Sequence, residues 1–182
     1  MPRGLTAPDL ADDAIRLEPL GRSHAPEFAW ATAADPEIVR YTLLPSSADE
    51  AWVEGWLGRY EDGWADGSRA GFAIRALADG SSLGFAALVR LDLETREGEI
   101  GYALPAAARG RGAATRAVGL LTGWGFSLGL ERLELRIDVT NGPSIRVAER
   151  CGYRLDGVLR SSYFKEGRRC DLGVWSRLAT DQ

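Results

Sequence analysis

The chain has 182 residues, 45% hydrophobic and 26% charged, with a formal net charge of −4. That length can bury a full core within one domain, the balance is that of an ordinary globular protein, and the acidic surplus argues against a general nucleic-acid binder. Two cysteines and one histidine are too few for a zinc ribbon, a His-rich metal site or a disulfide framework. The opening MPRGLTAPDLADD lacks the apolar centre of a secretory signal. No apolar run approaches the ~20 residues that span a bilayer. These features point to a cytoplasmic protein that works without a metal, a membrane or nucleic acid.

Residues 1–12 read as a flexible leader, 13–178 as one domain and 179–182 as a tail. Ile15 and Leu17 alternate with Arg16 and Glu18, the period of a half-buried strand. RSHAPEFAWATAADPEIVRY predicts a helix, a break at Asp35-Pro36 and a second short turn. Ser47 and Glu50 have capping-box spacing and predict a helix running to Trp64. AGFAIRAL, SSLGFAALVRLDL and EGEIGYAL predict three strands, the last ended by Pro105. A long helix follows, closing near Gly129. Leu133, Leu135, Ile137 and Val139 then alternate with Arg132, Glu134, Arg136 and Asp138, which predicts a strand buried on one face. PSIRVAERCGY predicts a short helix with Pro143 in its first turn and Gly152 as a left-handed cap. RLDGVLRSSYF and CDLGVWSRL predict a hairpin around Glu166-Gly167. The order is that of a mixed α/β domain without repeats or linkers.

The stretch 105–130 carries no Asp or Glu, yet Arg109, Arg111 and Arg116 crowd its start. A helix N-terminus already carries partial positive charge, so acids are the normal choice there. RGRGAAT is not a dinucleotide fingerprint, because Thr115 stands where a third Gly or Ala belongs, and it lacks the lysine of a P-loop. What remains is Arg-x-x-Gly-x-Ala opening a helix after a strand. Gly110 and Gly112 let a ligand approach bare backbone N–H groups, and a helix start with free amides suits a phosphate. The plain structural alternative is a glycine turn whose arginines face water.

On the strand EGEIGYALP, Glu97, Glu99, Gly101 and Ala103 share one face, and Ile100, Tyr102 and Leu104 the other. A carboxylate beside such small neighbours has open space next to it and could act as a general base. It could equally be a surface Glu paired with Arg136. In VTNGPS, Asn141-Gly142-Pro143 starts a helix, and Ser144 in its first turn either caps the backbone or reaches a ligand. Trp52, Trp56, Tyr60 and Trp64 recur every four residues along one helix, a stripe that usually marks core. Cys151, at an apolar helix end, reads as packing. His24 has no nucleophile beside it.

Together and in this order, these pieces resemble the GNAT superfamily of acyl-CoA-dependent N-acyltransferases. The likeness runs from about Ile15 to Leu178. It is strongest in EIGYALPAAARGRGAATRAV and NGPSIRVAERCGYRLDGVLR, and points to the branch holding the ribosomal-protein N-terminal (alanine/serine) acetyltransferases and their small-molecule relatives. The resemblance implies a mixed, mostly antiparallel sheet of about seven strands, splayed at the middle and flanked by about four helices. It implies acetyl-CoA as donor. Its pyrophosphate would lie on Arg109, Gly110, Arg111, Gly112, Ala113, Ala114 and Thr115, and its pantetheine along the backbone of Tyr102, Ala103 and Leu104, with Asn141 and Ser144 at the thioester end.

It further implies direct transfer in a ternary complex, with no acyl-enzyme. Glu99 would be the general base, acting directly or through water. A backbone N–H near Tyr102 or Ala103 would stabilise the oxyanion, and Ser144 or Tyr163 would assist the leaving thiolate. The acceptor pocket would draw on Trp30, Tyr41, Trp56 and Tyr163, with Asp35, Glu37 and Asp62 as amine partners. The expected acceptor is the α-amine of a protein N-terminus. A small-molecule amine (aminoglycoside, polyamine or amino acid) and a non-catalytic CoA-binding regulatory domain are the alternatives. Acyl donors other than acetyl share the same phosphate loop, and a homodimer is common in the family.

Overall fold

The computed structural model describes residues 4–28, 35–165 and 167–181. Its strands are β1 (Leu10–Ala11), β2 (Ile15–Pro19), β3 (Ala70–Ala76), β4 (Ser82–Asp92), β5 (Glu97–Ala103), β6 (Arg132–Asp138), β7 (Arg154–Lys165) and β8 (Arg168–Leu178). The helices bounded within the described residues are α1 (Pro36–Tyr41), α2 (Glu50–Asp66), α3 (Ala113–Ser127) and α4 (Gly142–Arg150), with 3-10 turns at Arg22–His24 and Ala106–Ala108. Within the segment read as a leader, β1 pairs with β2 and Leu5 N–H donates to the Trp64 carbonyl.

Local chemistry accounts for most helix boundaries. Asp35 caps α1, with Pro36 at its first position, where a missing N–H costs nothing. The start of α2 differs from the capping box read at Ser47. Asp49 is the cap, accepting from Trp52 N–H at 2.8 Å, because Pro45–Ala48 closes a turn of its own ahead of it. The helix also runs two residues past Trp64, to a left-handed Gly67. Asn141 caps α4 with Pro143 in the first turn, and Gly152 follows it at φ 76°, as the sequence predicts.

The eight strands form one sheet in the order β1-β2-β3-β4-β5-β6-β8-β7. All neighbours are antiparallel except β5 and β6, which run parallel and pair only at Glu97–Arg132, Gly98–Leu133 and Glu99–Glu134. Beyond that rung β5 stays with β4 as far as Ala103, while β6 follows β8 to Asp138. The sheet therefore opens into a wedge past Glu99. A register shift in β4 between Leu88 and Arg90 lies beside the divergence.

Each face of the sheet carries its own core. On one, Phe72, Ile74, Leu88 and Ile100 meet Ala117, Val118, Leu121 and Trp124 of α3. On the other, Ala73, Phe85, Ala87 and Ala103 meet Ile38 of α1 and Val53, Trp56, Leu57 and Tyr60 of α2. The aromatic stripe of α2 is thus core, with Trp64 packed against Phe72 and Trp124. The strand read as buried on one face only, β6, differs from that reading. Glu134 and Asp138 are also buried, because β6 lies inside the sheet, between β5 and β8, and other side chains cover its polar face.

Candidate active site

The wedge ends where the chain turns from β5 into α3. Gly112 is the N-cap of α3 at φ 80° and has no side-chain oxygen to offer the first-turn amides. A Cβ added at Gly110 or Gly112 would meet nothing within 4 Å, so the approach to those amides is open. This is the geometry of an anion site. At the wedge, the Tyr102 hydroxyl is buried and makes no hydrogen bond of normal geometry. Its side chain lies beside Ser144, and burial pushes the phenol up to about 12. A buried hydroxyl whose contact with Ser144 falls short of a well-formed hydrogen bond is one that a bound ligand would complete. Asn141 serves as a cap, its Oδ1 accepting from Ser144 N–H at 3.2 Å.

The three arginines divide differently from the reading that all answer an external anion. Arg116 is paired with Asp12 and Asp13. Arg109 donates to Asp35 Oδ2 at 2.5 Å, to Glu37 Oε2 at 2.5 Å and to the Leu104 carbonyl at 2.9 Å. Of the three, Arg111 alone makes no ion pair among the described residues. The chain's own acids, brought in from segments far upstream, neutralise the other two. What Arg109 offers a ligand is backbone, and Asp35 and Glu37 are spent rather than available to an acceptor amine.

Glu99 stands at the mouth of the wedge, half-buried. Its Oε2 lies 3.7 Å from Arg136 Nε and 3.9 Å from Arg90 Nε. Burial raises its pKa, the two guanidinium groups lower it, the charge of Glu134 raises it, and the net direction is up. The same arginines give their hydrogen bonds to Glu134, at 3.1 Å from Arg90 and 3.0 Å from Arg136, with Arg132 at 3.3 Å. The surface pairing with Arg136 that the sequence left open is present, but as a long contact. The carboxylate stays free to take a proton and is more basic than an ordinary Glu.

On the same face of β5, four residues or about 13 Å along the strand, Ala103 floors a cavity of about 20 Å³. Phe28, Ile38, Leu44, Trp56, Gly84, Phe85 and Pro105 complete its lining. Of the predicted acceptor residues, Trp56 lines it. Tyr41 lies at the end of α1 under the Arg40 guanidinium, and Trp30 lies outside the described residues, as does Glu166 of the hairpin turn. Tyr163 donates to the Thr42 carbonyl at 3.3 Å. Beside it Lys165 donates to the carbonyls of Thr42 and Leu44, so the β7–β8 hairpin holds the segment after α1. Sequence reasoning missed Arg90, Glu134 and Lys165. None sits in a motif, and only the folded register brings them to the site.

Residues 14–154 match the acetyltransferase (GNAT) domain family. The chain belongs to that family. It is a GNAT-type, acetyl-CoA-dependent N-acetyltransferase, and its acceptor is a protein or small amine. YdaF of Bacillus subtilis (strain 168), provisionally named a ribosomal N-acetyltransferase, is 35% identical over 138 residues, 74% of this chain and 72% of YdaF. The spermidine N(1)-acetyltransferase of Escherichia coli (strain K12) is 27% identical over 155 residues, 85% of this chain and 80% of that protein. Among solved structures, the RimL ribosomal α-N-protein acetyltransferase in complex with coenzyme A superposes with a TM-score of 0.86 at 16% identity, over 94% of this chain and 97% of that one. The splayed sheet, the open helix start and the buried Tyr102 hydroxyl all fit the donor that this family uses.

Proposed function

We propose that the protein acetylates the α-amine of a protein N-terminus whose first side chain is small and neutral, with Glu99 as general base. One observation carries the choice of acceptor. The cavity on the Glu99 face is lined by apolar side chains, and the nearby acids Asp35 and Glu37 are held by Arg109. A polycation such as spermidine needs free carboxylates along its length, whereas a neutral N-terminal segment needs only apolar lining such as that found about 13 Å along β5 from Glu99. The likeness to YdaF supports the same reading, and the likeness to the spermidine enzyme is the reason to test it.

Acetyl-CoA supplies the acetyl group as an activated thioester. The backbone amides from Arg111 to Thr115 and the splayed backbone of Tyr102, Ala103 and Leu104 would hold it. Ser144 and the Tyr102 hydroxyl would lie at its reactive end. The chain's own task is the proton. An ammonium is not nucleophilic, and an α-amine near pKa ~8 gives up its proton far more readily than a lysine near ~10.4. Glu99, made more basic than an ordinary Glu by burial, accepts that proton. A thiol-release assay with N-terminal peptides beside spermidine and an aminoglycoside tests the proposal. Turnover should be fastest with peptides that begin with Ala or Ser, and faster turnover of the polycations would refute the acceptor assignment.

A further inference from the structure

Asp35 is a buried carboxylate, its side chain 8% exposed, with four hydrogen bonds reaching into two parts of the fold. Oδ1 accepts from Glu37 N–H at 3.0 Å and Ile38 N–H at 3.4 Å, which starts α1. Oδ2 accepts from Ala106 N–H at 3.0 Å and from Arg109 Nη2 at 2.5 Å, which belong to the turn leading into α3. Arg109 closes the connection by also holding Glu37 and the Leu104 carbonyl at the end of β5. A helix cap needs only the first two of these bonds. The other two join segments more than 70 residues apart in sequence. They meet at the cavity, to which Ile38 contributes from α1 and Ala103 and Pro105 from the end of β5.

From this we infer that Asp35 is a positioning residue that fastens the coenzyme-binding turn to the acceptor-side helix, so that ordering one half of the site orders the other. The bond is strong enough for the task. Losing the guanidinium would leave the Asp35 carboxylate, only 8% exposed, charged without its cation, which is costly. The inference rests on the backbone amides of residues 111–115 binding coenzyme A. Any ligand that fixes this turn then also fixes α1 and the shape of the cavity between them.

Hydrogen exchange with and without coenzyme A, on the full-length protein, tests this without needing the acceptor. In the wild type, coenzyme A should slow exchange in peptides covering 113–117 and also, several-fold, in those covering 36–42. Asp35→Asn keeps a good helix cap and removes the charge that holds Arg109. It should retain protection at 113–117 and lose part of it at 36–42, where the Arg109–Glu37 pair remains. Arg109→Gln removes the cation from the other side but leaves the Ala106 N–H bond to Asp35, as Asp35→Asn leaves the Arg109–Glu37 pair. Each single variant should therefore weaken protection at 36–42, and the double variant should abolish it. Full protection of 36–42 in the double variant would show that Asp35 only caps α1, and would overturn the inference. Coenzyme A that protects neither segment in the wild type would overturn the reading of the 109–115 turn itself.

Discussion

Glu99 faces Glu134 across the last paired rung of β5 and β6. The two carboxylates share the guanidinium groups of Arg90 and Arg136 unequally. Glu134 takes bonds of 3.0 and 3.1 Å, and Glu99 is left at 3.7 and 3.9 Å. Two acids in one cluster are thereby given two roles. One anchors the cations, and the other, half-buried at the mouth of the wedge, keeps a lone pair free for a proton. This inequality is what makes Glu99 a credible base in spite of its cationic neighbours.

Glu99→Gln should lower kcat by about 10²–10⁴-fold, the usual worth of a positioned base, with little change in the KM for acetyl-CoA. In the wild type the reactive form is the ionised carboxylate, so kcat/KM should fall as pH drops through a value above the ordinary Glu value of 4.5. That limb should vanish in the variant. The same upward shift means that protonated Glu99 favours the folded state. This contribution to stability is present at low pH and lost as pH rises through the raised pKa. Steady-state kinetics across pH, together with melting curves, check both statements.

Glu134→Gln should act at a distance on the same limb. With one carboxylate of the cluster neutral, Arg90 and Arg136 are free to close on Glu99, and a guanidinium at hydrogen-bond range favours the ionised acid. The acid limb of kcat/KM should move to lower pH while the limiting rate falls, since a weaker base transfers less effectively. A pH profile that superposes on the wild type would show that Glu134 has no part in tuning Glu99.

Gly112→Asp separates coenzyme binding from folding. An Asp tolerates the left-handed backbone at φ 80°, at a cost of about 1–2 kcal/mol. Its charge at a helix N-terminus returns about 0.3–1 kcal/mol. The net loss of stability should therefore stay below about 1.7 kcal/mol, a modest fall in Tm. The carboxylate would nonetheless stand where a pyrophosphate belongs, so the Kd for acetyl-CoA by calorimetry should rise at least about tenfold, or ~1.4 kcal/mol.

Gly84→Ala tests the bend that brings β4 against the end of β5. Gly84 has φ 124°, and an added Cβ would stand 2.3 Å from the Ala103 carbonyl oxygen. Backbone cannot yield as a flexible side chain would, so the variant should lose about 1–3 kcal/mol, seen as a drop in Tm or in denaturant midpoint.

The period-2 pattern of β5 placed Glu99, Gly101 and Ala103 on one face, and Asn141-Gly142-Pro143 marked the start of α4, because both signals are local. The pairing of Arg109 with Asp35 was not legible. The two residues lie 74 positions apart, and a basic loop looks the same in sequence whether its partner is a ligand or a distant carboxylate. Glu134 was misread for a similar reason. Alternation shows that a strand has two kinds of face, whereas only the strand order shows that β6 is interior and that its polar face is covered.

The most direct measurement locates the acetyl group itself. A peptide beginning with Ser and carrying one internal Lys would be incubated with the protein and acetyl-CoA, and the product sequenced by tandem mass spectrometry. The account predicts acetylation on the α-nitrogen, with the lysine untouched. Acetyl found on the lysine Nε, or on spermidine added in competition while the peptide stays unmodified, would contradict it.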